Sequence, residues 1–238
     1  MKKIIVGILI LQIGLPVFSQ EYIYHNLNAG KELIDVSVYR SDRPEDIIFN
    51  LPDDIVNGIF TAPLNYIDRL VEYLISWTDD DYLKIKSIHD WIVCNIPYDV
   101  VAYNNGEIKN EQPHITLRFR TAVCGGYSML FNYMANKAGF EVAYISGYTK
   151  GRSKYAIQPV GQFVRHAWNG IKINDIYYLI DTTWDAGYVS NNRFTFAYTT
   201  DFFLTDPNEF IKRHYPQAPG WLLTDNYISI DDFREIEI

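Results

Sequence analysis

The chain has 238 residues, of which 48% are hydrophobic and 16% aromatic, and its 21 basic and 29 acidic residues give a formal net charge of −8 at pH 7. This length and composition predict one domain with a substantial core. An acidic chain without a basic stripe is a poor ligand for nucleic acid or anionic lipid, so we predict no nucleic-acid partner.

The N-terminus has the pattern of a secretory signal peptide. Lys2 and Lys3 precede an apolar run over residues 4–15, and small residues follow up to Gln20. The run is shorter than the roughly 20 residues of a membrane span, so an uncleaved anchor is the less favoured alternative. We predict a signal peptide over residues 1–19, export to the periplasm or cell exterior, and no stable membrane insertion afterwards. Its removal leaves 19 basic and 29 acidic residues, a net charge of −10.

The central motif of the chain is TAVCGGYS at residues 121–128. Apolar residues recur at helical spacing after it until Gly139, which predicts a helix that begins at Cys124. A cysteine on the first turn lies at the positive end of the helix dipole, which favours the nucleophilic thiolate. Gly125 and Gly126 leave backbone N–H groups uncovered that could hold an oxyanion. The alternative is a small buried cysteine with glycines that allow close packing.

A β-hairpin is predicted downstream of this helix. Two β-rich runs, residues 164–173 and 176–184, flank an Asn-Asp pair at 174–175. With this pair as the loop, Ile173 lies opposite Ile176. Each further pair then lies one residue farther from the loop on both strands.

This register predicts a histidine–carboxylate pair. It places His166 opposite Thr183 and Trp168 opposite Asp181, with all four side chains on one face of the sheet. His166 and Asp181 become diagonal neighbours, about 7–8 Å apart at the backbone. A carboxylate next to an imidazole fixes its tautomer, and the imidazole can then take the proton from a thiol such as Cys124. The alternative is a structural hydrogen bond on the sheet.

Three segments together resemble a known family: VCGGY at 123–127, HAWN at 166–169 and YYLIDTTWDAG at 177–187. They resemble the transglutaminase-like superfamily, and are most similar to the branch that contains kyphoscoliosis peptidase and related cytokinesis proteins. The similarity extends over roughly residues 82–223. One departure is Asp185, at a position where relatives often carry glycine, which suggests a different shape for the loop after Trp184.

The resemblance implies an α+β fold with a papain-like transglutaminase core. In such a core, N-terminal helices that include the nucleophile helix pack on an antiparallel sheet carrying the histidine and the aspartate. By this resemblance Cys124, His166 and Asp181 form the catalytic triad, and no cofactor is required.

Four further side chains near these motifs are predicted to bind substrate. Trp168 and Trp184 flank the histidine and the aspartate, Tyr127 follows the cysteine, and Gln112 precedes it by twelve residues. Plain packing is the alternative for the aromatic residues, and a solvated loop position is the alternative for Gln112.

The chain is divided in this interpretation into the signal peptide, an N-terminal extension over residues 20–60, and a catalytic domain with a C-terminal extension over residues 61–238. The catalytic domain is predicted to open with an amphipathic helix over 64–75. A second helix, capped at Thr78, is predicted to run to about Asn95.

The two cysteines and the remaining histidines are given structural roles. Cys94 and Cys124 are predicted to be free thiols, although an even count in an exported chain leaves a disulfide as the alternative. No spacing resembles a metal site, so no metal is predicted. The histidines interpreted as structural or exposed are His25, His89, His114 and His214.

The resulting hypothesis is a secreted cysteine enzyme that acts on amide bonds of polypeptides, including cell-wall peptides, through a thioester on Cys124. Water would release the thioester in a peptidase or amidase, and an amine would release it in a cross-linking transglutaminase. We favour hydrolysis because the most similar branch is named for a peptidase and no calcium-loop signature is present. A non-catalytic binding or assembly module on the same scaffold is the alternative of a different class.

Overall fold

The computed structural model describes residues 24–59, 63–107, 111–150 and 163–237. The predicted signal peptide lies outside these residues. Within the part of the chain that the structure describes, no helix combines the length and the apolar character that a membrane span requires.

The described residues form helices in both halves of the chain and strands in the second half. The α-helices are α1 (Asp53–Ile59), α2 (Pro63–Ile75), α3 (Asp81–Asn95), α4 (Val100–Asn105), α5 (Pro113–Phe119), α6 (Cys124–Lys137), α7 (Thr182–Ala186), α8 (Pro207–Phe210) and α9 (Ile230–Glu235). Short 3-10 helices span Ser37–Tyr39, Asp46–Phe49 and Pro219–Leu222. The strands are β1 (Glu141–Thr149), β2 (Val164–Ile173), β3 (Ile176–Ile180), β4 (Gly187–Ser190), β5 (Arg193–Phe196), β6 (Phe203–Thr205) and β7 (His214–Pro216).

Five strands form one antiparallel sheet in the order β6-β3-β2-β1-β7, and β4 and β5 form a separate hairpin. Helix α6 packs on β1 and β2, and it also contacts α2 and α3. This arrangement confirms the predicted α+β architecture, in which the helix that begins at Cys124 packs on an antiparallel sheet.

The two helices predicted before the cysteine are present as α2 and α3, but the predicted cap of α3 is wrong. The N-cap is Asp80, whose carboxylate accepts hydrogen bonds from the backbone N–H groups of Tyr82 and Leu83. Thr78 lies two residues before Asp80, and its hydroxyl oxygen accepts a hydrogen bond from the N–H of Asp80. An aspartate two residues closer to the helix therefore takes the role that the sequence suggested for the threonine.

The predicted hairpin register is confirmed from Ile173–Ile176 to Asn169–Ile180. The loop residues Asn174 and Asp175 have φ angles of 50° and 68°, as a two-residue hairpin loop requires. The ladder ends at Ile180, so the pairs predicted beyond it are wrong.

The wrong pairs are His166 with Thr183 and Trp168 with Asp181. Asp181 does not continue β3, because its side chain caps the first turn of α7. Thr183 lies inside that helix.

Apolar side chains cover both faces of the sheet. Alternate residues of β3 enter different clusters, since Tyr178 and Ile180 join the main core under the helices and Leu179 joins a second cluster. The buried members of the second cluster are Ile145, Trp168, Leu179, Phe202, Phe210 and Leu223. The C-terminal segment thus closes the face of the sheet that lies away from α6.

The described part of the predicted N-terminal extension belongs to the same packed body. Val36, Ile48 and Ile55 are buried in the main core. The boundary after residue 60 stays a prediction.

Candidate active site

A short bridge fixes the backbone in front of the cysteine. Tyr98 and Ala122 form an isolated parallel β-bridge, and the N–H of Asp99 donates to the carbonyl of Ala122 over 2.8 Å. Since Asp99 also caps α4 with its side chain, this bridge ties the entry of α6 to a second helix. The backbone that leads into Cys124 is therefore held by the segment just before α4.

Cys124 is the first residue of α6, as predicted, and it is half-buried with a free thiol. The N-cap is Val123, which offers no side-chain acceptor to the N–H groups of the first turn. Those N–H groups have no partner within the helix and point toward the space in front of it. Gly126 is explained by packing, because a Cβ there would lie 2.7 Å from the Cβ of Ala122.

His166 connects the cysteine to the carboxylate. The Cys124 thiol lies near its side chain and helps to raise the pKa of the imidazole. Its Nε2 lies 2.7 Å from Oδ2 of Asp181, which leaves Nδ1 for the sulfur. The imidazole is 7% exposed. The structure thus brings the three predicted catalytic residues into contact, although through a different register from the one predicted.

Asp181 is wholly buried. Its Oδ1 accepts hydrogen bonds from the N–H groups of Thr183 (2.9 Å) and Trp184 (3.1 Å) at the start of α7. The positive end of a helix and these two donors stabilise an ionised carboxylate there. The carboxylate reaches His166 because Asp181 directly follows β3 and is the N-cap of α7.

The charges of the pair reinforce each other. Burial opposes the charged form of His166, but the charge and hydrogen bond of Asp181 and the contact with Cys124 outweigh it and raise the pKa of His166 to about 10. Burial likewise opposes ionisation of Asp181, but His166 lowers the pKa of that carboxyl below its usual range. An imidazolium next to a carboxylate is the state that these contacts favour.

His214 is a site residue that the sequence interpretation missed. Its Nε2 lies 3.0 Å from the same Oδ2 of Asp181 that His166 contacts, and its side chain is wholly buried. Its ring stacks on Phe210 with 4.0 Å between centroids and lies 4.5 Å from Trp184. The sequence interpretation of this histidine was structural or exposed; it is buried, and strand β7 carries it to the carboxylate of Asp181.

His166, Asp181 and His214 also form a group that could hold a metal ion, since their ligand atoms lie within 4.8 Å of one another. Two imidazoles and a carboxylate suit a divalent transition metal. The separations of 2.7 and 3.0 Å are those of charge-assisted hydrogen bonds, however. Hydrogen bonding therefore accounts for the cluster, and a metal would have to displace Asp181 from His166.

The four predicted substrate-binding residues have different surroundings. Tyr127 is wholly buried in the main core, and its hydroxyl donates to the carbonyl of Ile96. Trp168 is 1% exposed and packs in the second cluster. Direct substrate contact is therefore wrong for both, and packing is the correct interpretation.

Trp184 and Gln112 stay open as substrate residues. Trp184 is half-buried, and its ring lies 5.5 Å from that of His166. Gln112 is exposed at the N-cap of α5, where its backbone carbonyl accepts from the N–H of Ile115 and of Thr116. Their substrate roles stay predictions.

A small, open pocket lies beside the first turn of α6. Its lining is mainly apolar with two carboxylates, and consists of Asp99, Ala102, Glu111, Ile115, Thr116, Phe119, Thr121, Ala122, Val123 and Gly126. The carboxylate of Glu111 lies against Gly125, where a Cβ would overlap it. Burial raises the pKa of Glu111.

A second buried network lies at the other end of α7, and the sequence interpretation missed it too. His89 lies between two carboxylates, with Nδ1 2.9 Å from Asp90 and Nε2 3.0 Å from Asp185. Lys86 donates to Asp90 over 2.6 Å. Asp185 also accepts from the hydroxyl of Thr199 and the N–H of Phe202. His89 is therefore a buried ion-pair partner, and Asp185 joins α7 to α3.

The two cysteines differ in environment. Neither forms a disulfide. Cys94 lies near the end of α3, and burial raises the pKa of its thiol to about 12. It is hydrogen-bonded to no imidazole in the described part of the chain, whereas Cys124 contacts His166.

A thiol at a helix start, an imidazole on an antiparallel sheet and a buried carboxylate define a papain-like α+β fold with a cysteine–histidine–aspartate site. The sequence model of the Transglutaminase-like superfamily matches residues 68–182, which include all three residues. The chain therefore contains a transglutaminase-like domain.

Named relatives agree with this placement. The chain is 33% identical to human kyphoscoliosis peptidase over 170 residues, which is 71% of this chain and 26% of that protein. It is 25% identical to Drosophila melanogaster hillarin over 209 residues, 81% of this chain and 25% of hillarin. The chain spans about a quarter of the length of the curated relatives it matches. A solved structure of a candidate cysteine protease from Cytophaga hutchinsonii is 18% identical with a TM-score of 0.41, over 67% of this chain and 50% of that one.

Proposed function

We propose that this protein is a cysteine enzyme that cleaves amide bonds of polypeptides through a thioester on Cys124. The observation that carries the proposal is the continuous contact from the half-buried Cys124 through His166 to the wholly buried Asp181. A structural histidine–aspartate pair would not need a thiol at a helix start on its other nitrogen.

The residues suggest the following steps. The Cys124 thiolate attacks the substrate carbonyl carbon, and the first N–H groups of α6 hold the oxyanion that forms. His166 gives its proton to the leaving nitrogen as the C–N bond breaks, which leaves a thioester and a free amine. Water then attacks the thioester and passes a proton to His166, and the product acid leaves as the Cys124 thiolate is restored. Asp181 holds the imidazole and stabilises its charged form throughout.

We favour hydrolysis over amine transfer because the human relative is named a peptidase. The apolar pocket beside Cys124 suits an extended peptide. The predicted signal peptide supports an exported enzyme, for which polypeptides or cell-wall peptides in the periplasm or outside the cell are the proposed substrates.

The test is to incubate the purified chain with casein peptides, with and without the amine dansylcadaverine, and to analyse the mixture by mass spectrometry. Cys124→Ala is the inactive variant, and Cys94→Ala is the matched control that loses the other thiol. We expect cleaved peptides and an acyl adduct on Cys124 after acid quenching, both absent in Cys124→Ala and retained in Cys94→Ala.

Other results would change the assignment. Dansylcadaverine incorporation without cleavage would replace the peptidase by a cross-linking transglutaminase. Peptide binding of equal affinity in the wild type and Cys124→Ala, with neither cleavage nor adduct, would favour the non-catalytic binding module.

A further inference from the structure

We propose that His214 is a positioning residue for the reaction, a neutral imidazole that holds the Asp181 carboxylate against His166. The inference rests on the proposed function, since it assigns a role toward the same catalytic pair. The two carboxylate oxygens of Asp181 receive four donors in all. Thr183 and Trp184 occupy Oδ1, while His166 and His214 share Oδ2.

The sharing of Oδ2 requires His214 to donate. A carboxylate oxygen only accepts, so Nε2 of His214 must carry the proton. The titratable groups that face His214 are Asp181 and His166, and the charge of His166 opposes a second cation there. Burial, the larger cause, acts in the same direction and lowers the pKa of His214 to about 4. His214 is thus neutral at physiological pH and leaves the carboxylate charge to His166.

Four aromatic rings pack around His214 and fix its orientation. The distances between ring centroids are 4.0 Å to Phe210, 4.5 Å to Trp184, 5.2 Å to Trp168 and 5.3 Å to Phe202. A ring packed on this many sides has no room to turn away from Asp181. The packed rings therefore hold the Nε2–H donor in place against Asp181, its acceptor.

The sheet provides the space for this contact at Gly147. This glycine of β1 pairs with His166 of β2 on one side and with Pro216 of β7 on the other. His214 and His166 thus lie on the same face of the sheet, on the two strands that flank β1. A Cβ at Gly147 would overlap the Trp168 ring and the Tyr215 carbonyl. The absence of a side chain there therefore lets the Trp168 ring and strand β7 pack closely next to Asp181.

Two substitutions test the donor. His214→Phe keeps a packed ring and removes the donor, whereas His214→Gln restores an N–H near the position of Nε2. The readout is the second-order rate constant for alkylation of Cys124 by iodoacetamide across pH, measured on folded protein. The exposed His25, substituted by Phe, is the matched control.

We expect His214→Phe to lower the rate constant about tenfold to a hundredfold, the range measured when a metal-ligating side chain loses the hydrogen-bond partner that orients it. The acid limb of its pH profile should move to higher pH, because a loosened Asp181 stabilises the His166 imidazolium less. His214→Gln should recover most of the rate, and His25→Phe should behave like the wild type. Equal rates and pH profiles in His214→Phe and the wild type would overturn the inference, even if the variant is less stable.

A measurement without substitution covers the case in which these variants do not fold. Nitrogen-15 NMR of labelled histidines in the wild type should give His214 as the neutral Nε2–H tautomer from pH 7 down to about pH 5. The Nδ1–H tautomer or a charged ring at pH 7 would overturn the inference. A wild-type Cys124 that reacts no faster than a free thiol would instead refute the proposed function itself.

Discussion

Two buried histidine–carboxylate networks meet the short helix α7 and differ in what they contact. The first joins His166 and His214 to Asp181 at the N-cap of α7, and it reaches a half-buried thiol. The second joins His89 to Asp90 and Asp185 inside the core, and its histidine side chain has no exposed surface. The two networks thus combine similar chemical groups but differ in their access to a thiol and to solvent.

The largest expected effect is on the reactivity of Cys124, which should depend strongly on His166 and little on His89. His166→Ala should lower the rate of acetylation of Cys124 by p-nitrophenyl acetate by about 10²–10⁴-fold, because the thiol loses its proton acceptor. His89→Ala should leave the rate of the folded fraction within about tenfold of the wild type, since His89 does not contact the thiol. Release of p-nitrophenol in single-turnover experiments measures both. A change of less than threefold in His166→Ala would contradict this dependence.

The second effect concerns stability. Asp185→Ala leaves His89 buried with one carboxylate fewer, and loss of one partner of a buried ion pair costs about 3–5 kcal/mol in the free energy of unfolding. Asp42→Ala, which removes an exposed carboxylate, should change this free energy by less than about 0.5 kcal/mol. Urea unfolding followed by tryptophan fluorescence measures both variants. Equal midpoints would show that the second network contributes nothing to stability.

The third effect is that His214 and His89 respond to pH with opposite sign. The pKa of His214 is lowered to about 4 by burial, so its contribution is present above the unfolded pKa of about 6.5 and is lost as the pH falls toward 4, roughly 3 kcal/mol in all. Burial lowers the pKa of His89, but Asp185 and Asp90 outweigh this and raise it. The contribution of His89 is therefore present below about pH 6.5 and is lost as the pH rises through its folded pKa.

Urea unfolding between pH 4 and pH 9 tests these signs. His214→Gln should flatten the acidic side of the stability profile, and His89→Gln should flatten the alkaline side. If each variant instead flattened the opposite side, the protonation states assigned to His214 and His89 would be reversed.

The smallest effect concerns Cys94. Because burial raises the pKa of this thiol to about 12, less than about a thousandth of it is thiolate at pH 8. Cys94→Ala should therefore leave one rapidly labelled thiol per folded chain in a titration with Ellman's reagent. Two rapidly labelled thiols in the wild type would show that Cys94 is as accessible and reactive as Cys124.

Local sequence signals predicted the parts of the site that depend on one or two adjacent elements. The apolar spacing after Cys124 predicted α6, and the Asn174-Asp175 loop predicted the hairpin register to the residue. The contact between His166 and Asp181 was expected for a partly wrong reason, because Asp181 leaves the strand to cap α7. An aspartate followed by two threonines is compatible with either a strand or an N-cap, and tertiary context decided the outcome.

The remaining contacts could not be predicted, since they join residues far apart in the chain. His214 reaches Asp181 across 33 positions, and His89 reaches Asp185 across 96. The only sequence signal for His89 is a polar His-Asp pair among apolar residues of α3, which the structure buries on nearly all sides. No periodicity marks His214, because β7 has only three residues.

The most direct test of the account is alkylation of the purified protein by iodoacetamide between pH 5 and pH 10, read at Cys124 and Cys94 by peptide mapping. We predict fast labelling of Cys124 already at pH 6, where a free thiol with a pKa of about 8.5 is almost wholly protonated. In His166→Ala this labelling should be lost, while Cys94 stays slow throughout. Labelling of Cys124 that rises only near pH 8.5 and is the same in His166→Ala would contradict the claim that the site activates a nucleophile.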